Sequence, residues 1–365
     1  MQKTLIPVLL LFIQLQANSQ QLLQRYKDDV FTGSHMQTLS YGNNLNYQAQ
    51  STELQADIYL PDNDTAVQRA MIVFAHGGGF RNGSRNDSFI VAFCQRLALK
   101  GFVIASIDYR LGMDITAPKA LQSALIRAVQ DYNGFIRFAK ANAAAYAIDT
   151  NKIFVSGASA GAIAAITKAY IKANRASALG ISSNADIEGN TNQLPNTSAV
   201  AGVYSLWGAI TDTSWMENND PPIGCVQSRG DVTVPWNIGY NKNNDEMLLY
   251  GSLPIFTRAT NLGLTTTIHG YQSAKHDLGL KFAPYKDTTL QLMADFLFQL
   301  IQQIDASQII KAGSYQSPHG DGLLKVATNY CSSSVRRKKS QMTILLPGHK
   351  NTPMVYRTFN WAPTG

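Results

Sequence analysis

The chain has 365 residues, 45% hydrophobic and 15% charged. That composition excludes wholesale disorder and leaves length for one large α/β core or two small ones. The formal net charge is +7, but the excess is local: from Lys311 onward there are eight Lys/Arg and one acid, Asp321, so the remainder carries 23 basic and 23 acidic residues. The main body is neutral, which gives no ground for a nucleic-acid partner.

At the N-terminus, Lys3 precedes an apolar run from Leu5 to Leu15, followed by Ala17-Asn18-Ser19. Small residues there fit a signal-peptidase site, and the apolar run is short for a membrane span. Residues 1–19 are expected to be a secretory signal peptide, with a buried N-terminal helix as the alternative. The mature chain then starts near Gln20 and is secreted, or periplasmic or extracellular. No later run is long and apolar enough to cross a bilayer. Of the three cysteines, Cys94 and Cys225 sit in apolar element patterns and read as small buried residues; one disulfide with a leftover thiol including Cys331 is the alternative. Cys and His show no metal-ligand spacing, and no cofactor is expected.

Met36–Tyr41 and Leu54–Leu60 alternate apolar and polar residues, as half-buried antiparallel strands do, and Pro61-Asp62-Asn63-Asp64 closes the second. Ala70–Ala75 is a continuous apolar run, expected of a strand buried on both faces. Ser88–Lys100 predicts a helix, Phe102–Ile107 a buried strand, and Pro118–Ala143 a long helix with Leu121, Leu125, Tyr132 and Phe135 on one face and Pro118 in its first turn. A strand over Ile153–Val155 precedes a helix reaching about Asn174. Residues 176–199, rich in Ser, Asn, Gly and Pro, predict a loop over the sheet; they include Asn196-Thr197-Ser198, a glycosylation sequon. Val200–Trp207 and Pro222–Val226 predict strands, Asp245–Leu262 a helix, Thr265–His269 a last strand, and Thr288–Gln303 a closing helix. Strands alternating with helices imply a mostly parallel sheet with helices on both faces and antiparallel strands at its N-terminal side. Residues 20–307 are expected to form this domain. Beyond about Gln308 periodicity fades, and 308–365 is expected to be a basic tail: disordered, a sorting or attachment segment, or a misread frame.

Chemistry concentrates at strand ends. Gly157-Ala158-Ser159-Ala160-Gly161 between a strand and a helix is a sharp elbow, where glycines relieve crowding and the serine is lifted out of the sheet; a helix start rich in Gly and Ala is the bland alternative. His76-Gly77-Gly78-Gly79 follows a buried strand, where glycines free backbone N–H groups to face a negative oxygen; a plain flexible turn would look similar. Asp231, in Ser228-Arg229-Gly230-Asp231, lies just past a strand, as an exposed turn aspartate also would. His276 lies in a loop between the last strand and last helix and is preferred to His269, which ends the strand pattern itself.

With Ser159, Asp231 and His276 in that order, the chain resembles an α/β-hydrolase of the secreted carboxylesterase/lipase kind over roughly residues 50–305. The residues carrying the likeness are His76-Gly77-Gly78-Gly79-Phe80, Asp108-Tyr109-Arg110, Gly157-Ala158-Ser159-Ala160-Gly161, Asp231 with Val234-Pro235, His276, and Tyr146–Ile153 before the elbow. Ala158, where many relatives carry an acid, and Ala162, where a second glycine is common, depart from the hormone-sensitive-lipase-like branch. The resemblance implies Ser159 as nucleophile, His276 as base then acid, Asp231 as its orienting carboxylate, and an oxyanion hole from the N–H groups of Gly78, Gly79 and Ala160. Asp131 and Arg110 are expected to pair as a support beneath the site. Phe80, Trp207, Trp215 and Trp236, near strand-end loops, are expected either to line the substrate pocket or to pack in the core. The expected function is hydrolysis of a short-chain or polymer-borne ester, such as an acetyl or feruloyl group on a glycan. Alternatives are a serine peptidase of the same fold and a non-catalytic surface-binding protein.

Overall fold

In a computed structural model of the chain, the structure describes residues 24–241, 244–273, 275–313, 341–345 and 356–360. The expected signal peptide, Cys331 and the basic run Ser332–Lys339 lie outside the described residues. Two compact units divide the chain, Met1–Gln302 and Gln303–Gly365. The second contains the end of the last helix and an antiparallel pair, β11 (Gln341–Leu345) and β12 (Tyr356–Asn360).

The first unit is built on an eight-stranded sheet of order β1-β2-β4-β3-β5-β6-β7-β10. Strands β1 (Ser34–Leu45) and β2 (Ser51–Pro61) form an antiparallel hairpin, and β2 runs antiparallel to β4 (Val103–Ile107). All other pairings, among β3 (Arg69–Ala75), β4, β5 (Ile148–Ala158), β6 (Gly202–Leu206), β7 (Ile223–Ser228) and β10 (Thr266–Tyr271), are parallel. Every residue of β3, β4, β6 and β7 is buried, as strands covered on both faces must be. Edge strand β1 is mostly exposed and polar.

Helices α1 (Ser88–Leu99), α2 (Ala120–Ala141), α3 (Ala160–Tyr170) and α5 (Ser252–Asn261) supply the crossovers. The chain steps one way from β3 to β4 and the other way from β4 through β7 to β10, so right-handed crossovers put α1 on one face and α2, α3 and α5 on the other. α7 (Tyr285–Gly313) sends Phe296 and Leu300 against the sheet, the first beside Tyr204 and the second where Gly202 leaves room. Short helices α4 (Asn184–Glu188) and α6 (Leu278–Lys281) lie in the connections.

Several expectations need correction. α2 starts at Ala120 behind Lys119, which has φ 58°, so Pro118 lies ahead of the helix instead of inside its first turn. α3 ends at Tyr170, with Ile171 extended. The segment Asp245–Leu262 is not one helix: β9 (Asn244–Tyr250) pairs antiparallel with β8 (Ile238–Asn241), and only after Gly251 does α5 begin. The 176–199 segment is partly ordered by the Arg110–Asp131 pair. Arg110 donates to Asp131 from its backbone N at 2.8 Å and from Nε at 2.9 Å, and Thr191 Oγ1 donates to the same carboxylate at 2.8 Å. A buried pair whose oxygens are all engaged ties the connection after β4, α2 and this segment together. Cys94 and Cys225 are buried free thiols; burial raises the pKa of both, that of Cys225 to about 12.

Candidate active site

The carboxyl ends of β3, β5, β7 and β10 deliver four loops to one place. At the end of β5 the chain enters α3 through Ser159 at φ 53°, ψ −117°, a left-handed position that a residue with a side chain adopts only when its surroundings hold it there. The flanking glycines make that turn possible. A Cβ on Gly157 would lie 2.7 Å from Ala75 O, and one on Gly161 would run into the carbonyls of Ala75 and His76. α3 thereby packs against the end of β3 with no side chain between them.

Ser159 Oγ lies 2.8 Å from His276 Nε2, and His276 Nδ1 lies 2.7 Å from Asp231 Oδ2. A carboxylate only accepts, so Nδ1–H donates to Asp231 and Nε2 is left to accept the serine O–H. The Asp231 side chain is fully screened from water, while His276 keeps 19% of its side-chain surface exposed. Asp231 Oδ1 accepts from the backbone N–H groups of Thr233 (2.9 Å) and Val234 (3.1 Å), and Gln227 Nε2 reaches Oδ2 at 3.3 Å. Gln227 is itself fixed: it donates to Val234 O at 2.9 Å and accepts from Ser252 Oγ at 2.7 Å. Such a chain can take a proton from the hydroxyl and stabilise the imidazolium that results.

The loop after β3 is anchored by a buried histidine. His76 Nδ1–H donates to Gly77 O at 2.7 Å, its ring stacks on Tyr109 at 4.5 Å, and Tyr109 O–H donates back to His76 O at 2.9 Å. Burial pushes the His76 pKa down, which keeps the ring neutral. Gly78 has φ 110°, and a Cβ there would collide with Asn82 O. Gly78, Gly79, Ala160, Ser159 and His276 all border one cavity of about 600 Å³. Its apolar wall comes from Leu121, Ile163, Val234, Met247 and Leu249, and Arg81, Asn82 and Thr233 are polar parts of its border.

Of the four aromatic candidates, Phe80 alone borders this cavity. Trp207 is buried behind the imidazole, 6.4 Å from His276 and edge-on to it. Trp215 packs in the core and donates from Nε1 to Arg175 O. Trp236 faces Arg229. These three tryptophans lie near strand ends in sequence, but none borders the cavity; the loop carrying Trp236 meets it through Thr233 and Val234 instead. His269, the competing histidine, sits within β10 edge-on to Tyr271, and burial together with Arg229 lowers its pKa. The apolar wall, by contrast, was not among the sequence-predicted site residues. Met247 and Leu249 alternate along β9, a period hidden once that segment is read as helix.

The strand order and the elbow define the architecture: the chain has the α/β-hydrolase fold. Residues 56–221 match the family model BD-FAE. Solved structures of the same fold include the thermophilic esterase 2 of the planctomycete Thermogutta terrifontis with propionate bound, 19% identical over 72% of this chain and 94% of that one, with a TM-score of 0.56. The same enzyme phosphorylated by paraoxon is 20% identical over 73% and 94%, with a TM-score of 0.56, and its butyrate-bound form is 20% identical over 71% and 94%, with a TM-score of 0.55. No curated protein matches the chain in sequence. Among the described residues, no helix is long and apolar enough to cross a membrane.

Proposed function

We propose that this chain is an exported serine hydrolase of carboxylic esters, working through an acyl-enzyme on short-chain or glycan-linked substrates. The single observation that carries the reading is the unbroken hydrogen-bond chain from Ser159 Oγ through His276 to buried Asp231 at the edge of the cavity. In this mechanism His276 Nε2 takes the Ser159 proton as Oγ attacks the ester carbonyl. The oxyanion that forms is met by the N–H groups of Gly78, Gly79 and Ala160. The tetrahedral intermediate collapses as His276 gives its proton to the departing alcohol. Water, deprotonated by the same imidazole, then attacks the acyl-serine and frees the acid and the enzyme. Phosphorylation of the Thermogutta enzyme by paraoxon, and its complexes with propionate and butyrate, support a nucleophile of this kind and a short acyl group.

The test is a comparison of three variants on p-nitrophenyl acetate. Ser159→Ala and His276→Ala each lower kcat on the order of 10⁶-fold, as knockouts of members of a working triad do, whereas His269→Ala lowers it less than tenfold. Near-wild-type turnover by Ser159→Ala would remove the serine from the mechanism, and the reverse order of the histidines would reassign the base.

A further inference from the structure

Arg81 stands two residues after Gly79, on the border of the cavity that holds Ser159 and His276. Its place is fixed by the backbone: the N–H groups of Arg81 and Asn82 both donate to Gly78 O, at 3.1 and 3.2 Å, so the turn that presents the glycines also presents Arg81. The side chain is exposed, and among the described residues it has no ion pair, hydrogen bond or ring contact. Every other arginine with a described side chain is engaged: by carboxylates, as for Arg25, Arg85 and Arg110, by carbonyls, as for Arg127 and Arg258, or by a ring, as for Arg229. An idle arginine on open surface needs no explanation, because water solvates it. Here the cation stands at the mouth of a cavity with an apolar wall and no carboxylate among its described lining residues. A low-dielectric wall with a single sign of charge focuses the field on whatever enters. A guanidinium also offers parallel N–H donors that match a carboxylate fork.

We infer that Arg81 determines specificity by pairing with a carboxylate carried by the ester, on its acyl or its alcohol part, close to the scissile bond. The preferred substrates are then half-esters of dicarboxylic acids, or esters borne by an acidic unit such as a uronate. This inference rests on the hydrolase reading above.

The experiment pairs each anionic ester with a neutral amide of the same shape. On the acyl side, phenyl hydrogen glutarate is set against its terminal amide; on the alcohol side, 4-acetoxybenzoate is set against 4-acetoxybenzamide. Comparing the within-pair ratio of kcat/KM between wild type and variant cancels the intrinsic reactivity of the esters. In Arg81→Gln this anionic-to-neutral ratio is expected to fall about fivefold to tenfold in at least one pair, through KM, as befits a partly exposed charged hydrogen bond. Arg81→Lys should recover part of it, and raising the salt should erode the wild-type ratio. Ratios equal in wild type and Arg81→Gln for both pairs would overturn the inference. Calorimetric titration of full-length Ser159→Ala with the same four esters reads charge recognition without turnover, and the anionic member should bind more tightly only while Arg81 is present. A wild-type protein that hydrolyses none of the esters, while this binding preference survives, would end the hydrolase reading and leave the arginine's role standing; no binding preference in any pair would end the latter.

Discussion

Asp231 is well supplied with donors before His276 reaches it. Two backbone N–H groups hold Oδ1, and Gln227 shares Oδ2 with the imidazole. In the proposed mechanism, an aspartate fixed in this way does not swing away when the imidazole gains charge, so the carboxylate stays aligned through the cycle. On that mechanism Gln227 acts through Asp231 as a positioning residue. Gln227→Leu removes its donor to Asp231 and leaves Ser252 Oγ without its acceptor. The expected outcome is a roughly tenfold lower kcat with KM little changed, the size of one lost buried hydrogen bond, and Gln227→Glu should not rescue it because a carboxylate beside Asp231 repels. An unchanged kcat in Gln227→Leu would show that the two backbone donors suffice. At this scale the sequence carried the residues that need a particular chemistry at a strand end: Ser159 between glycines, Asp231 in a turn, His276 in a loop. It did not carry direction. Trp207, Trp215 and Trp236 satisfy the same positional rule as Phe80, and only what each ring packs against separates them.

At the scale of elements, the β8–β9 hairpin decides the shape of the cavity. Its register pairs Tyr240 with Leu248 and Ile238 with Tyr250 on one face, leaving Met247 and Leu249 on the other, where they are buried against the cavity. The run Met247-Leu248-Leu249-Tyr250 is continuously apolar, and so short a run fits a helical or an extended period equally well. Hydrogen bonding between the strands settles the choice, a non-local fact that a local pattern cannot hold. Because Met247 is a flexible filler of the apolar wall, Met247→Ala lengthens the space beside Ser159. The kcat/KM ratio of p-nitrophenyl hexanoate to acetate should rise about tenfold, in keeping with the value of a methylene in an apolar pocket. A ratio that stays at its wild-type value would place the acyl chain away from the hairpin.

At the scale of the whole molecule, the legible part is the sheet. Buried runs at β3, β4, β6 and β7, punctuated by helical stretches, mark a parallel sheet because strands covered on both faces carry no alternation. Strand order is less legible: β4 lies between β2 and β3, so the jump from β4 to β5 passes over a neighbour, and no local pattern encodes such a jump. That jump brings the β3 loop with its glycines beside the β5 elbow, while β7 and β10, paired directly, bring Asp231 and His276 together. On the function proposed above, these distant segments together make Ser159 a nucleophile. The most direct measurement of that role is treatment of the full-length protein with a fluorophosphonate, followed by mass spectrometry of its peptides. The account predicts one adduct, on Ser159, absent from Ser159→Ala and formed at least a hundredfold more slowly in His276→Ala, on the order of the rate general-base assistance provides. A folded wild-type protein that takes no label, or that takes it on another residue, would contradict it.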